Sequence, residues 1–122
     1  MTDNGYEATL VSFLDRMDSG DFAGALALFA EDATYVRPVL NQPGEPLGAG
    51  IVTYHGKAEI AGFMSRRGRR DMRQRVLISA TRGAHLFAEG MIEFSDGSPP
   101  LTPLFHLEFD EAGLIWRFLA VR

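Results

Sequence analysis

Apolar residues recur at three- and four-residue spacing in the first half of the chain and at two-residue spacing in the second. Tyr6, Leu10, Phe13, Leu14 and Met17 share one face of a helix predicted over about 5–18. Asn4 and Glu7 have the spacing of a capping box at its start. Asp18-Ser19-Gly20-Asp21 then supplies a stop and a new N-cap, and a second helix over about 22–30 would bury Phe22, Leu26 and Phe29. Ala33 to Val39 reads as a strand, and the Gly- and Pro-rich stretch 41–50 as a loop able to rim a pocket. A short strand at Ile51 to Tyr54 leads to a third helix from Lys57 to Arg67, with Ile60, Phe63 and Met64 inward.

After Gly68 the period changes to two. Arg75 to Thr81, His85 to Phe94, Leu101 to Asp110 and Ile115 to Val121 read as four strands. Arg82-Gly83, Asp96-Gly97-Ser98-Pro99 and Glu111-Ala112-Gly113 supply the turns of an antiparallel meander. Helices early and strands late predict an α+β fold in which one strongly curved sheet wraps around three helices. Within 85–94 the even positions are all apolar or small, whereas the odd ones mix His85, Phe87, Glu89, Met91 and Glu93. That strand should have one dry face, with the mixed face turned to a pocket or a subunit interface.

Composition narrows the chemistry. A chain of 122 residues has room for one domain and a pocket. No apolar run approaches the roughly 20 residues of a membrane span, and the N-terminal MTDNGYE is acidic, so a cytoplasmic protein is expected. The absence of cysteine excludes disulfides, thiolate ligands and Cys nucleophiles. His55, His85 and His106 lie at least twenty-one residues apart and form no HxH or HExxH motif, so neither a metal nor a cofactor is expected.

The net charge of −4 conceals a segregation: six of the twelve basic residues lie between Arg66 and Arg75. A phosphate, coenzyme A or nucleic-acid patch is one reading of that run. The simpler reading makes Arg66 and Arg67 the last turn of a helix, where cations complement its dipole, with Gly68 as terminator. No aromatic residue interleaves the run, so nucleic acid is not expected as a partner.

Several segments together resemble the SnoaL-like and ketosteroid-isomerase-like proteins of the nuclear-transport-factor-two-like superfamily. Gly20-Asp21 followed by Leu28-Phe29-Ala30-Glu31-Asp32-Ala33 is similar to that superfamily's opening turn and first strand. Gly56-Lys57-Ala58-Glu59-Ile60 and Phe109-Asp110-Glu111-Ala112-Gly113-Leu114-Ile115 are similar to its third helix and last hairpin. The resemblance implies a cone-shaped sheet of the cystatin-like α+β barrel type, enclosing an apolar pocket, and a homodimer formed through the convex face. It also implies where a site would lie. The isomerases' base directly precedes the Pro that ends strand one, where this chain has Arg37; their Tyr donor corresponds to Phe13 and their protonated Asp to Phe105. Limonene-epoxide-hydrolase-like enzymes share Tyr35 and the Trp116-Arg117 pair, but Arg37 and Phe118 replace their Asn and final acid.

Isomerase and epoxide-hydrolase chemistry by those mechanisms is therefore not expected, and a different polar set remains. Alternation from Arg37 places Tyr35 on the concave side, and similar counting adds Glu89, Met91 and Glu93 there. Tyr35, Arg37 and Glu89 become the candidate catalytic group of a cofactor-independent acid–base enzyme of the isomerase, dehydratase, cyclase or hydrolase type, with Glu89 as a base tuned by burial and by Arg37, and with Tyr35 or Arg37 stabilising an enolate or alkoxide. Phe13, Met17, Phe63, Met91, Phe105, Trp116, Phe118 and Arg122 become the candidate binding walls. The expected ligand is a small apolar or weakly anionic molecule. The same residues also fit a non-catalytic binder or dimeric interaction module, with Arg37 and Glu89 as a structural ion pair. His106 falls on the convex face with Glu108.

Overall fold

A computed structural model of the chain describes residues 5–38 and 50–121. Helix α1 spans Tyr6–Ser19, α2 Phe22–Leu26 and α3 Gly56–Arg67. The strands are β1 Phe29–Pro38, β2 Ile51–His55, β3 Met72–Arg82, β4 His85–Phe94, β5 Leu104–Phe109 and β6 Ile115–Val121. They form one curved, unclosed six-stranded sheet in the order β2-β1-β6-β5-β4-β3. Every neighbouring pair is antiparallel except β1 with β6, which run parallel. The predicted α+β class and its curved sheet are those of the molecule.

Local chemistry accounts for the helix ends. Gly20, at φ 85°, closes α1: its N–H donates to Met17 O, and the Asp21 N–H donates to Arg16 O at 2.8 Å. This is a Schellman closure, which needs a left-handed residue at Gly20. Asp21 then caps α2 by accepting from the Gly24 N–H at 3.0 Å. At the start of α1, Asn4 lies outside the described residues, and the Glu7 carboxylate accepts instead from the Ser79 hydroxyl, pinning the helix to β3.

The second helix is shorter than its pattern predicts. It ends at Leu26, and Phe29 opens β1 instead of closing a helical face. Packing wins over periodicity here: the Phe29 ring is fully buried, 5.6 Å from Phe13 and 6.2 Å from Phe118. Its backbone pairs with Ile115, whose N–H donates to Leu28 O. Five helical residues gain little by themselves, so this aromatic cluster decides the boundary.

Three register shifts interrupt the alternation: one between Phe29 and Thr34 where β1 meets β6, and one bulge each in β3 and β6. Val76 pairs with Gly90 and Ile78 with Glu89, leaving Leu77 as an extra residue in β3. Phe109 pairs with Ile115 and Glu108 with Arg117, leaving Trp116 as an extra residue in β6. Ile115 and Phe118 both point into the core although three positions separate them, an arrangement that only a bulge permits. On β4 the dry even face carries the fully buried Leu86 and ends at Gly90 against Phe105. A Cβ at Gly90 would meet the Phe105 ring at 2.8 Å and Arg75 O at 2.9 Å, so only glycine fits.

One end of the wrapped sheet is sealed by the stacked Tyr6 and Phe109 rings, whose centroids are 4.0 Å apart. The other end, near the C-terminal turns of α1 and α3, holds a cavity.

Candidate functional site: a cation-lined aromatic cavity

The cavity measures ≈110 Å³. Its apolar wall comes from Phe13, Leu14 and Met17 on α1, Phe105 on β5, Phe118 on β6, and Ile92 and Phe94 on β4. Alternation along the strands presents these rings inward, and Phe118 sits at the centre, 5.0 Å from Phe13, 5.1 Å from Tyr35 and 5.9 Å from Phe105.

Tyr35, Arg37, Arg67, Arg70 and Gln74 supply the polar part. Tyr35 and Arg37 are consecutive inward positions of β1, both buried. The Arg37 guanidinium lies 4.3 Å from the Phe63 ring centroid, a cation–π contact that fixes its plane. Arg67 ends α3, donates to Gly68 O at 2.9 Å and is half-buried. Burial, first, and the charges of Arg70 and Arg37 pull its pKa below the ordinary arginine value, while Tyr35 and Asp18 act the other way. Asp18 is held by the Gln74 N–H at 2.7 Å and the Gln74 side-chain amide at 3.0 Å, which ties it to β3. Among the described residues, no carboxylate lines the cavity.

The structure gathers part of the expected site and disperses the rest. Tyr35, Arg37, Phe13, Met17, Phe105 and Phe118 all reach the cavity wall. Phe63 is buried behind Arg37 and does not line the cavity, because its ring is engaged by that guanidinium and by Tyr54. Glu89 is on the opposite face. It pairs with Leu104 and Ile78, which are 52% and 66% exposed, so no Arg37–Glu89 pair forms across the cavity.

Met91 and Glu93 share that outer face, where Arg75 bonds the Met91 sulfur at 3.4 Å and pairs with Glu93 at 3.1 Å. The reason is that the dry even face of β4 is itself the concave face, so packed core and cavity share one side. Trp116 is 43% exposed, displaced by the bulge it occupies. Arg122 lies outside the described residues.

Sequence reasoning missed Arg67, Arg70 and Gln74. The arginine run had a helix-end explanation, and nothing local showed that α3 ends and β3 begins at the mouth of the cavity. The run divides in space: Arg67 and Arg70 reach the cavity, Arg66 lies 5.9 Å from the Tyr54 ring, and Arg75 serves Glu93.

Comparison with known proteins adds to this geometry. A family model, the SnoaL-like domain, matches residues 10–118. The chain belongs to the SnoaL-like family. Solved structures of similar fold include a Kribbella flavida protein provisionally described as a ketosteroid isomerase, with TM-score 0.68, 20% identity, and coverage of 95% of this chain and 76% of that one. A Methylobium petroleophilum protein of unknown function with a cystatin-like fold has TM-score 0.72 at 20% identity, over 98% and 76% of the two chains. An NTF2-like protein of unknown function from Cytophaga hutchinsonii has TM-score 0.66 at 12% identity, over 94% and 87%.

At these identities the neighbours share only the fold with this SnoaL-like chain. No protein of curated function matches the chain. Among the described residues of this SnoaL-like domain, no helix is long and apolar enough to cross a membrane.

Proposed function

We propose that this SnoaL-like domain binds a small organic anion, with an apolar body against Phe13, Phe105 and Phe118 and its charged end toward Arg67, Arg70 and Arg37. One observation carries the reading: three arginines line a single aromatic cavity. Such a wall of apolar surface with a few directed polar groups is the ordinary composition of a small-molecule site. At ≈110 Å³ the cavity is smaller than the ~150 Å³ that accommodates benzene, which limits the enclosed part of the ligand to at most one ring or a short branched chain. An aromatic or short branched carboxylate fits both size and charge, because guanidinium groups recognise carboxylates through paired hydrogen bonds.

Titration calorimetry with benzoate, using benzyl alcohol as the neutral control, tests the reading. Benzoate binds and the alcohol does not; equal affinity for the two would overturn it. A second reading, cofactor-independent acid–base turnover of the bound anion, is supported by Tyr35 and Arg67 lining the same cavity, a phenol and a guanidinium placed to stabilise one developing enolate. Tyr35→Phe would then abolish turnover while leaving affinity within severalfold.

The same proposal includes a homodimer through the convex face, supported by Ile78, Phe87 and Leu104 standing exposed there. Sedimentation of wild type against Ile78→Glu measures it.

A further inference from the structure

The outer face of the sheet brings together three metal-binding side chains that lie far from the cavity's cations. Antiparallel pairing sets His85 directly opposite Glu108 and Phe87 opposite His106, so both imidazoles and the carboxylate emerge on one face of β4 and β5. His85 Nδ1 lies 2.9 Å from His106 Nε2 and 3.5 Å from Glu108 Oε1, and one donor atom from each residue falls within 4.8 Å of the others. Ligand atoms held about 2.0–2.1 Å from a tetrahedral Zn²⁺ are separated by roughly 3.3 Å. The two shorter separations bracket that value.

The imidazoles are not loose. Phe87 stacks on His106 with centroids 4.4 Å apart and planes 12° from parallel, and lies at 13° to the plane of His85. The Phe109 N–H donates to Ala84 O at 2.9 Å, closing the ladder beside His85. Stacking of Phe87 on His106 and strand pairing beneath bring the two imidazoles together before any ion arrives, which lowers the ordering cost of binding.

We propose that His85, His106 and Glu108 form a site for a divalent first-row transition ion, Zn²⁺ in the first instance. Two imidazole nitrogens and one carboxylate oxygen are a ligand set that zinc and its neighbours take, and hard cations such as Mg²⁺ prefer all-oxygen shells. Three protein ligands leave a fourth position for water or an incoming group. The competing arrangement is a hydrogen-bonded cluster in which the His85 Nδ1–H donates to both His106 Nε2 and Glu108. It predicts the same apo geometry but no ion uptake.

Calorimetry of the chelator-treated full chain with ZnCl₂ separates the two. The metal site predicts one equivalent bound, with affinity lowered at least about a hundredfold in His85→Ala and in His106→Ala, since even loss of a ligand's hydrogen-bond partner costs about 10–100-fold. His55→Ala, at an exposed histidine outside the cluster, keeps wild-type affinity. Co²⁺ in place of Zn²⁺ gives visible d–d bands that His85→Ala and Glu108→Gln each diminish. Far-UV circular dichroism verifies that each variant is folded; should His106→Ala disturb the sheet, His85→Ala with the Co²⁺ bands decides alone. No uptake by wild type, or uptake undiminished in folded His85→Ala, overturns the proposal.

Discussion

The two faces of β4 and β5 are built from the same strands and lead opposite chemical lives. Inward, Ile92, Phe94 and Phe105 join a cavity whose polar groups are an amide, a phenol and three guanidiniums. Outward, His85, His106 and Glu108 cluster beside exposed Phe87 and Leu104, and Glu89 stands in solvent. In each strand a one-residue step separates the two environments. Polar residues on a sheet are therefore poor guides to a site until the concave side is known, and here the cavity's charges come from β1, from the end of α3 and from the segment after it rather than from the polar positions of β4.

The sharpest test of that division uses two aromatic neighbours on β6. Phe118→Ala removes a fully buried ring from the centre of the cavity and is expected to cost about 3–5 kcal/mol in a denaturant titration. Trp116→Ala, at the bulge, is expected to cost no more than about 1 kcal/mol. Strict alternation would make the two alike, so equal losses would remove the bulge argument.

Charge supplies the next test. Arg67→Gln should weaken benzoate by roughly 10- to 150-fold, the equivalent of about 1.5–3 kcal/mol for a charge-assisted hydrogen bond. Glu89→Gln should leave it unchanged. A loss on the second substitution would return Glu89 to the site.

Gly90 lies on the inward face, where the place of a Cβ is crowded by both the Phe105 ring and Arg75 O. Gly90→Ala forces both to move, with an expected destabilisation of about 1–3 kcal/mol and a smaller cavity. Unchanged stability would mean that the approach relaxes freely.

The smallest effect lies away from both faces. The Gly24 N–H, and then Arg16, hold the Asp21 carboxyl below the usual Asp value. A depressed folded-state pKa contributes stability above the unfolded-state value near 3.8, and that contribution is lost as pH falls through the folded-state value. The stability gap between wild type and Asp21→Ala, small at neutral pH, should close on acidification below that range; a gap independent of pH would assign it to lost helix geometry instead.

Much of the molecule was legible in its residues. The amphipathic spacing of α1 and α3, the turn at Gly20-Asp21 and the alternation of β4 each follow from local chemistry, and Tyr35 and Arg37 follow from one strand leading into Pro38. The failures share a cause. Phe29 left a helical pattern because distant rings received it, Trp116 changed sides because a bulge intervened, and Glu89 was counted inward because parity does not reveal which face is concave. The motif rules used for metals look for histidines close in sequence, whereas His85 and His106 meet only through strand register, twenty-one residues apart.

What the sequence determined by itself is the set of elements, their order, and membership of the SnoaL-like fold, since these depend on periods, caps and turns encoded over a few residues. What only the tertiary structure decided is which side of the sheet encloses space and which charges face each other across it. That depends on curvature, bulges and strand pairing, where residues distant in the chain fix one another's surroundings.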